Sequence, residues 1–327
     1  MEASVNRMPS LQSKDPSPTL SDGSPLVSLV TPCYNGMPYL RAAIDSVLGQ
    51  DYPNIEYLVM DGGSTDGTVE LLEEFGDRVR WISEKDDGQA DALARGFEQT
   101  TGAILGWLNA DDMLKPGAIR TAVETFRANP EAALIYGNAD FIDANSRTLG
   151  PCTVVEPYSR HRLVHYGDYI IQPAAFFTRQ AYTAVGGLDK SLHWAMDWDL
   201  WIRLAQRYQV LYIEEDLASY RWQGSNKTAE GGFARLKEVE VVARRYGCNG
   251  LPAYFRLEQA RLFAEQAKQD LKQRHFFTML SSFAKCAATV FTSWGAMKSL
   301  VNPHIWRNYR TAQRLYRHVE LSNPERP

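Results

Sequence analysis

The chain of 327 residues is 44% hydrophobic and 11% aromatic, which excludes a disordered protein and allows one large core or a domain with an appendage. Four cysteines, Cys33, Cys152, Cys248 and Cys286, are too widely spaced for a disulfide framework or a metal-ligand pair, so free thiols in a reducing compartment are expected. The net charge of −4 is split: residues 1–234 hold 19 basic and 32 acidic groups, or −13, and residues 235–327 hold 16 and 7, or +9.

The first 24 residues are rich in Ser, Pro, Asp and Lys and lack the apolar run of a signal peptide, so they read as a disordered leader. Leu26 to Thr31 reads as a strand broken by Pro32, and Leu40, Ala43, Ile44, Val47 and Leu48 then follow helical spacing. Ile55 to Met60 is a second strand, ended by Asp61-Gly62-Gly63. A helix over Gly67 to Phe75, with Val69, Leu71 and Leu72 inward, leads to a short strand at Val79 to Ser83. Asp91 to Thr100 is helical, and the strand Ile104 to Leu108 delivers Asp111 and Asp112. The spacing predicts another helix over Met113 to Phe126, with Pro116 in its first turn. Alternation continues to about residue 140, which predicts an α/β fold with an open, mostly parallel sheet and helices on both faces. Ligands of such sheets bind beyond the carboxyl ends of the strands, so Asp61 and the pair Asp111, Asp112 share one rim.

From about residue 235 strand signals fade. Helices are expected at Phe233 to Tyr246, Ala253 to Met279 and His304 to Leu321, giving an α/β body over 25–230 and a basic helical region over 231–327. The last of these helices mixes Ile305, Trp306, Tyr309, Leu315 and Tyr316 with Arg307, Arg310, Arg314 and Arg317, which suits a membrane interface; a cap on the body or a dimer element fits equally. Phe276 to Val301 is apolar but carries Lys285 and Lys298, so it is a poor spanning helix.

Four segments carry candidate chemistry. In Val30-Thr31-Pro32-Cys33-Tyr34-Asn35-Gly36, the Asn-Gly turn leaves backbone N–H groups near a helix start, where a nucleotide can rest. In Asp61-Gly62-Gly63-Ser64-Thr65-Asp66-Gly67, Asp61 can accept hydrogen bonds from a base or ribose, and Asp66 is better placed to cap the next helix. Leu108-Asn109-Ala110-Asp111-Asp112 ends a strand in two carboxylates, as Mg2+ or Mn2+ bound to a diphosphate requires; the alternative is a plain helix cap. In Met196-Asp197-Trp198-Asp199-Leu200-Trp201, Asp197 sits near a helix N-terminus, where a carboxylate that takes a proton from a hydroxyl is stabilised as the anion; the alternative is a plain helix cap with Asp199 beside it. Asp91 and Arg95 are four apart on a helix, so a surface ion pair is as plausible there as a ligand contact. Arg221 to Lys227, with Gly224, reads as a mobile loop able to close over the diphosphate.

In this order the four segments resemble the family 2 glycosyltransferases, inverting enzymes of the GT-A fold, over about residues 26 to 225. The resemblance implies donor contacts from Thr31, Pro32, Tyr34, Asn35, Asp61, Gly62, Asp87, Asp91, Asn109, Ala110 and Asp111, a divalent magnesium or manganese ion on Asp111, and Asp197 as the catalytic base. It further implies acceptor or sugar contacts from Asp112, Gln172, His193, Trp194 and Trp198. Trp201 joins these as part of an apolar wall or as core. The usual acidic triplet is altered, because Asn109 stands first and adds no charge. The expected function is transfer of a sugar from a nucleotide-diphosphate sugar, UDP-sugar favoured, to a glycan or lipid-linked hydroxyl acceptor in surface polysaccharide synthesis. The setting would be cytoplasmic, with a peripheral contact at the inner face of the membrane. The rival reading is a catalytically silent nucleotide-sugar-binding scaffold. No Gly-X-Gly-X-X-Gly follows the first strand, which disfavours a dinucleotide-dependent oxidoreductase, and the acidic body disfavours nucleic acid.

Overall fold

A computed structural model describes residues 23–223 and 226–291. The expected leader up to residue 22, Gly224 of the proposed mobile loop, and the aromatic and basic helix at 304–321 lie outside the described residues. The first half of the chain alternates as β1 (Val27–Cys33), α1 (Leu40–Leu48), β2 (Ile55–Asp61), α2 (Thr68–Phe75), β3 (Arg80–Ser83), α3 (Gln89–Glu98) and β4 (Ile104–Trp107). Then come β5 (Met113–Leu114), α4 (Ala118–Ala128), β6 (Ala132–Ile142), β7 (Thr148–Pro151), α5 (Arg160–His165), β8 (Ala175–Thr178) and α6 (Arg179–Ala184). The remainder is α7 (Met196–Arg207), β9 (Gln209–Arg221), α8 (Lys227–Glu230), α9 (Gly232–Arg245), α10 (Ala253–Lys272) and α11 (Phe276–Phe291).

All the strands join one sheet in the order β3-β2-β1-β4-β8-β6-β9-β5, with β7 on β6. The β3-β2-β1-β4 half is parallel. All seven residues of β1 are buried, as a central strand covered on both faces requires. Beyond β4 the sheet is mixed: β8 runs antiparallel to β4 and β6, while β6 and β9 are parallel. The crossover helix α1 buries Leu40, Ala43, Ile44 and Val47 and leaves Leu48 on its margin.

Several local expectations change. The first strand runs through Pro32, which pairs with Met60. The β4 pairing ends at Val30, so Pro32 has a sheet neighbour on one side only and its missing N–H breaks no second ladder. Met113 and Leu114 are a strand rather than the start of a helix, because they pair with Ser219 and Ala218 of β9. The helix begins only after Gly117, whose φ of 80° reverses the chain in a way an L side chain resists. The long helix expected over Ala253 to Met279 breaks at Arg274, which has positive φ, and α11 folds back along α10. The four cysteines are free, as expected. No helix among the described residues is long and apolar enough to cross a membrane.

Two elements that carry the site are locked from behind. Trp107 at the end of β4 stacks on Trp201 of α7, with ring centroids 5.7 Å apart and planes 15° apart. Both are essentially inaccessible, so Trp201 belongs to the core and its aromatic pairing fixes α7 against the strand that ends in Asn109 and Asp111.

Candidate active site

A cavity of about 710 Å³ opens at the carboxyl ends of β1 and β4 and is closed on its far side by α7, α9 and α10. The ends of the two strands supply Pro32, Tyr34, Asn35, Asn109, Ala110 and Asp111. Tyr34 is 67% exposed, and a flat ring left open at a cavity rim is a stacking platform. Asn35 adopts φ of 52°, and its side-chain oxygen accepts from Thr65 N at 3.0 Å, which ties the β1–α1 loop to the β2–α2 loop. Asp66 ties them again, accepting from Met37 N and from Thr68 N at the start of α2.

Asn109 is the hub of the floor. Its amide donates to Asp112 and to Gln172, each at 3.0 Å, and its oxygen accepts from Gln89 Nε2 at 2.7 Å. Gln172 in turn donates to Trp107 O at 2.7 Å, so both ends of this side chain are engaged. Asp112, expected as an acceptor or sugar contact, is instead buried beneath the floor, accepts from Arg221 N at 2.9 Å and does not line the cavity; nor does it cap a helix. Arg221 is buried as well; its guanidinium donates to Asp111 O at 2.7 Å and to Asp143 O at 2.6 Å. The ends of the expected mobile loop are therefore anchored, since Asn226 is also buried and donates to Arg221 O at 2.7 Å.

Asp111 faces the cavity, and its Oδ2 accepts from Gln223 and Asn226 amides at 3.2 Å each. Burial raises its pKa, and burial with the charge of Asp111 raises that of Asp112 further. Arg221 offsets only part of the charge of the two adjacent carboxylates, so the pair has room for a further cation. No group of three or more His, Cys, Asp or Glu that could hold a metal exists among the described residues. A divalent ion placed here would meet Asp111 as its cavity-facing carboxylate and would leave its other positions to ligand oxygens.

Asp197, which also lines the cavity, is the second residue of α7, and its Oδ1 accepts from Trp198 N at 2.8 Å. Trp198 is buried, donates its indole N–H to Leu163 O at 2.9 Å and turns an edge to the cavity. His193 and Trp194 line the same wall. Asp168, which the sequence did not single out, lies there too, its Oδ1 accepting from Ile170 N at 3.0 Å. Asp168 and Asp197 are half-buried, and both line the cavity. Burial raises both pKa values, and the charge of Asp197 pushes Asp168 further up, while Arg235 offsets part of this at each. Lys227 also lines the cavity, donates to Gln89 Oε1 at 2.9 Å, and is pushed down to about 8 by burial. Arg235 comes from α9, is salt-bridged to Glu258 at 2.7 Å and covers the Phe255 ring. Sequence signals did not reveal Asp168 and Arg235, because each lies in a segment without a motif, whereas Lys227 ends the loop expected near the diphosphate.

Other expected donor residues lie outside the cavity wall. Thr31 is buried beneath it, bonded to Tyr57 Oη at 2.9 Å. Asp61 is buried and accepts from Gly63 N and Ser64 N at 3.1 Å and from Ser83 Oγ at 2.6 Å, shaping the loop after β2. Gly62 is needed by Asp86, whose carboxylate would lie 2.8 Å from a Cβ placed there. Asp87 sits by Asp91, and Asp91 is held by Lys190 at 2.9 Å with Arg95 at 3.9 Å, the surface ion pair that its spacing allowed.

Carboxylates from a strand end, Asp111, and from a helix start, Asp197, thus line one cavity at the edge of an α/β sheet. Residues 28–182 match the family model described as "Glycosyl transferase family 2", so the chain carries a glycosyltransferase domain of that family, with the GT-A fold. It is 29% identical over 231 residues to an uncharacterized glycosyltransferase of Rickettsia typhi, covering 67% of this chain and 70% of the relative. It is 30% identical over 185 residues to the chondroitin synthase of Escherichia coli, covering 56% of this chain but only 27% of that protein. Its fold is similar to that of a mannosyltransferase from Pyrobaculum calidifontis solved with GDP-Man and Mn2+, with a TM-score of 0.57, 20% identity, and coverage of 95% of this chain and 91% of the other.

Proposed function

We propose that the protein transfers a sugar from a nucleotide-diphosphate sugar to a hydroxyl of a growing glycan, with inversion at the anomeric carbon. The observation that carries this is that Asp111, at a strand end, and Asp197, at a helix start, both line one cavity. Tyr34, Pro32 and Asn35 would hold the nucleoside end. Asp111 would hold a divalent cation, and such an ion, when bound, neutralises charge on a leaving diphosphate. Lys227, presented from the wall by Gln89, would add a positive charge at the diphosphate. Asp197 would take the proton of the acceptor hydroxyl, and burial, which raises its pKa, makes its anion more basic than an exposed carboxylate. Asp168 would accept a second hydroxyl of the acceptor and share the proton of the pair. The relative named a chondroitin synthase supports a polysaccharide acceptor, and the neighbour solved with GDP-Man and Mn2+ supports a nucleotide-sugar donor with a metal.

Calorimetric titration of UDP, GDP and dTDP, with and without manganese, tests this reading. One nucleotide should bind, more tightly with manganese, and Asp111→Ala should remove the manganese dependence. Asp197→Asn should bind that nucleotide like wild type while turnover falls by about 10²- to 10⁴-fold. Near wild-type turnover in Asp197→Asn would remove the base assignment, and metal-independent binding would remove the metal.

A further inference from the structure

The antiparallel pair α10 and α11 ends in a tip whose surface differs from the rest of the molecule. Phe277 is 90% exposed, and Leu271, Leu280 and Phe283 are each more than half exposed. On α11, Phe277, Leu280 and Phe283 recur at three-residue spacing and so lie along one side of the helix. Exposed apolar side chains clustered in this way mark a contact surface rather than scattered surface residues.

Charge selects the partner. From Lys268 to Phe291 the basic side chains are Lys268, Lys272, Arg274 and Lys285, all exposed. The single carboxylate in that stretch, Asp270, is buried and engaged by Gln266 at 3.1 Å and Ser282 at 3.3 Å. The tip thus presents aromatic and aliphatic groups among cations with no exposed anion, the composition that settles into an anionic lipid interface. A second copy would bring a like-charged tip against it. Residues 292–327 of this chain carry six basic against two acidic groups, so they too would be repelled. We propose that the tip of α10 and α11 docks the protein on an anionic lipid surface. Phe255, which lines the cavity, lies 16 residues before Leu271 on the same helix, so the anchoring tip is roughly 24 Å from the catalytic cavity along the axis of α10. This inference does not rest on the identity of donor or acceptor.

Flotation of the full chain with vesicles tests it. The protein should float with phosphatidylcholine vesicles containing about a third phosphatidylglycerol, should not float with phosphatidylcholine alone, and should be released by high salt. The triple variant Phe277→Ser, Leu280→Ser, Phe283→Ser should lose at least about ten-fold in bound fraction. The variant Lys268→Glu, Lys272→Glu, Lys285→Glu should do the same, with nucleotide binding unchanged in both. Failure of the wild type to float with anionic vesicles overturns the proposal. Equal flotation of wild type and both variants also overturns it, since binding would then reside elsewhere in the chain.

Discussion

Lys227 shows how burial turns an ordinary residue into a titrating one. Enclosed by the cavity wall and bonded to Gln89, its ammonium loses solvation that Asp197 and Glu238 only partly replace, and its pKa falls to about 8. If its charge assists the diphosphate, kcat/KM measured in the free-enzyme regime should fall as pH rises through about 8, where the cation is lost. Lys227→Arg, which stays charged, should remove that alkaline limb while retaining activity at neutral pH. A limb that persists unchanged in the arginine variant assigns it to another group. The loop expected near the diphosphate contains Lys227, but its lowered pKa is not legible in the sequence, because the cavity that causes it is made by β4, α7 and α9. Asp111 and Asp197 were legible for the opposite reason: a strand end and a helix start each leave a local pattern of apolar spacing around the carboxylate.

At the scale of elements, α9 positions the cavity wall that carries Asp197 although it follows the last strand. Its Glu238 accepts the N–H groups of His193, Trp194 and Ala195 at 2.8, 2.6 and 2.8 Å, fixing the segment just ahead of Asp197. Glu238→Gln loses the charge and one of the two acceptor oxygens, and should weaken this contact by about 1–3 kcal/mol. Amide exchange at His193 to Ala195 should accelerate by about ten- to a hundred-fold, with α1 to α3 unaffected. Unaltered protection at those three amides would show that the loop is held by something else. A second tie joins the same elements, because Tyr246 Oη donates to Asp199 at 2.6 Å and Arg245 bridges Asp189 at 2.7 Å. The apolar spacing of α9 made it visible as a helix in the sequence, but periodicity names no partner, and so Arg235 and Glu238 read only as part of a basic tail.

For the whole molecule, the site is held at a cost to stability. Asp168 and Asp197 both have pKa values raised by burial, so the folded state binds protons more tightly than the unfolded chain. The stability linked to each is therefore complete below the ordinary carboxylate range and is lost as pH rises through the folded value. Asp168→Asn keeps an oxygen for Ile170 N and removes one charge of the pair. Its urea midpoint should exceed that of wild type at pH 7, and the advantage should shrink toward pH 4, while sugar transfer falls. A lower midpoint at pH 7 would mean that Arg235 more than compensates the Asp168 anion.

By itself the sequence determined the α/β class, the β1 to β4 crossovers, the turn at Asn35-Gly36 and the two carboxylates, all of which rest on spacing within about ten residues. The tertiary structure decided what long-range pairing controls. β9 captures Met113 and Leu114 as a strand, buried Arg221 reaches back to Asp111 and Asp112, and Trp107 stacks on Trp201. It also brings Asp168, Lys227 and Arg235 to one cavity from segments that are remote along the chain. Local propensity and periodicity are properties of neighbours, whereas burial, charge compensation and a shifted pKa arise only once distant segments share a space from which water is largely excluded.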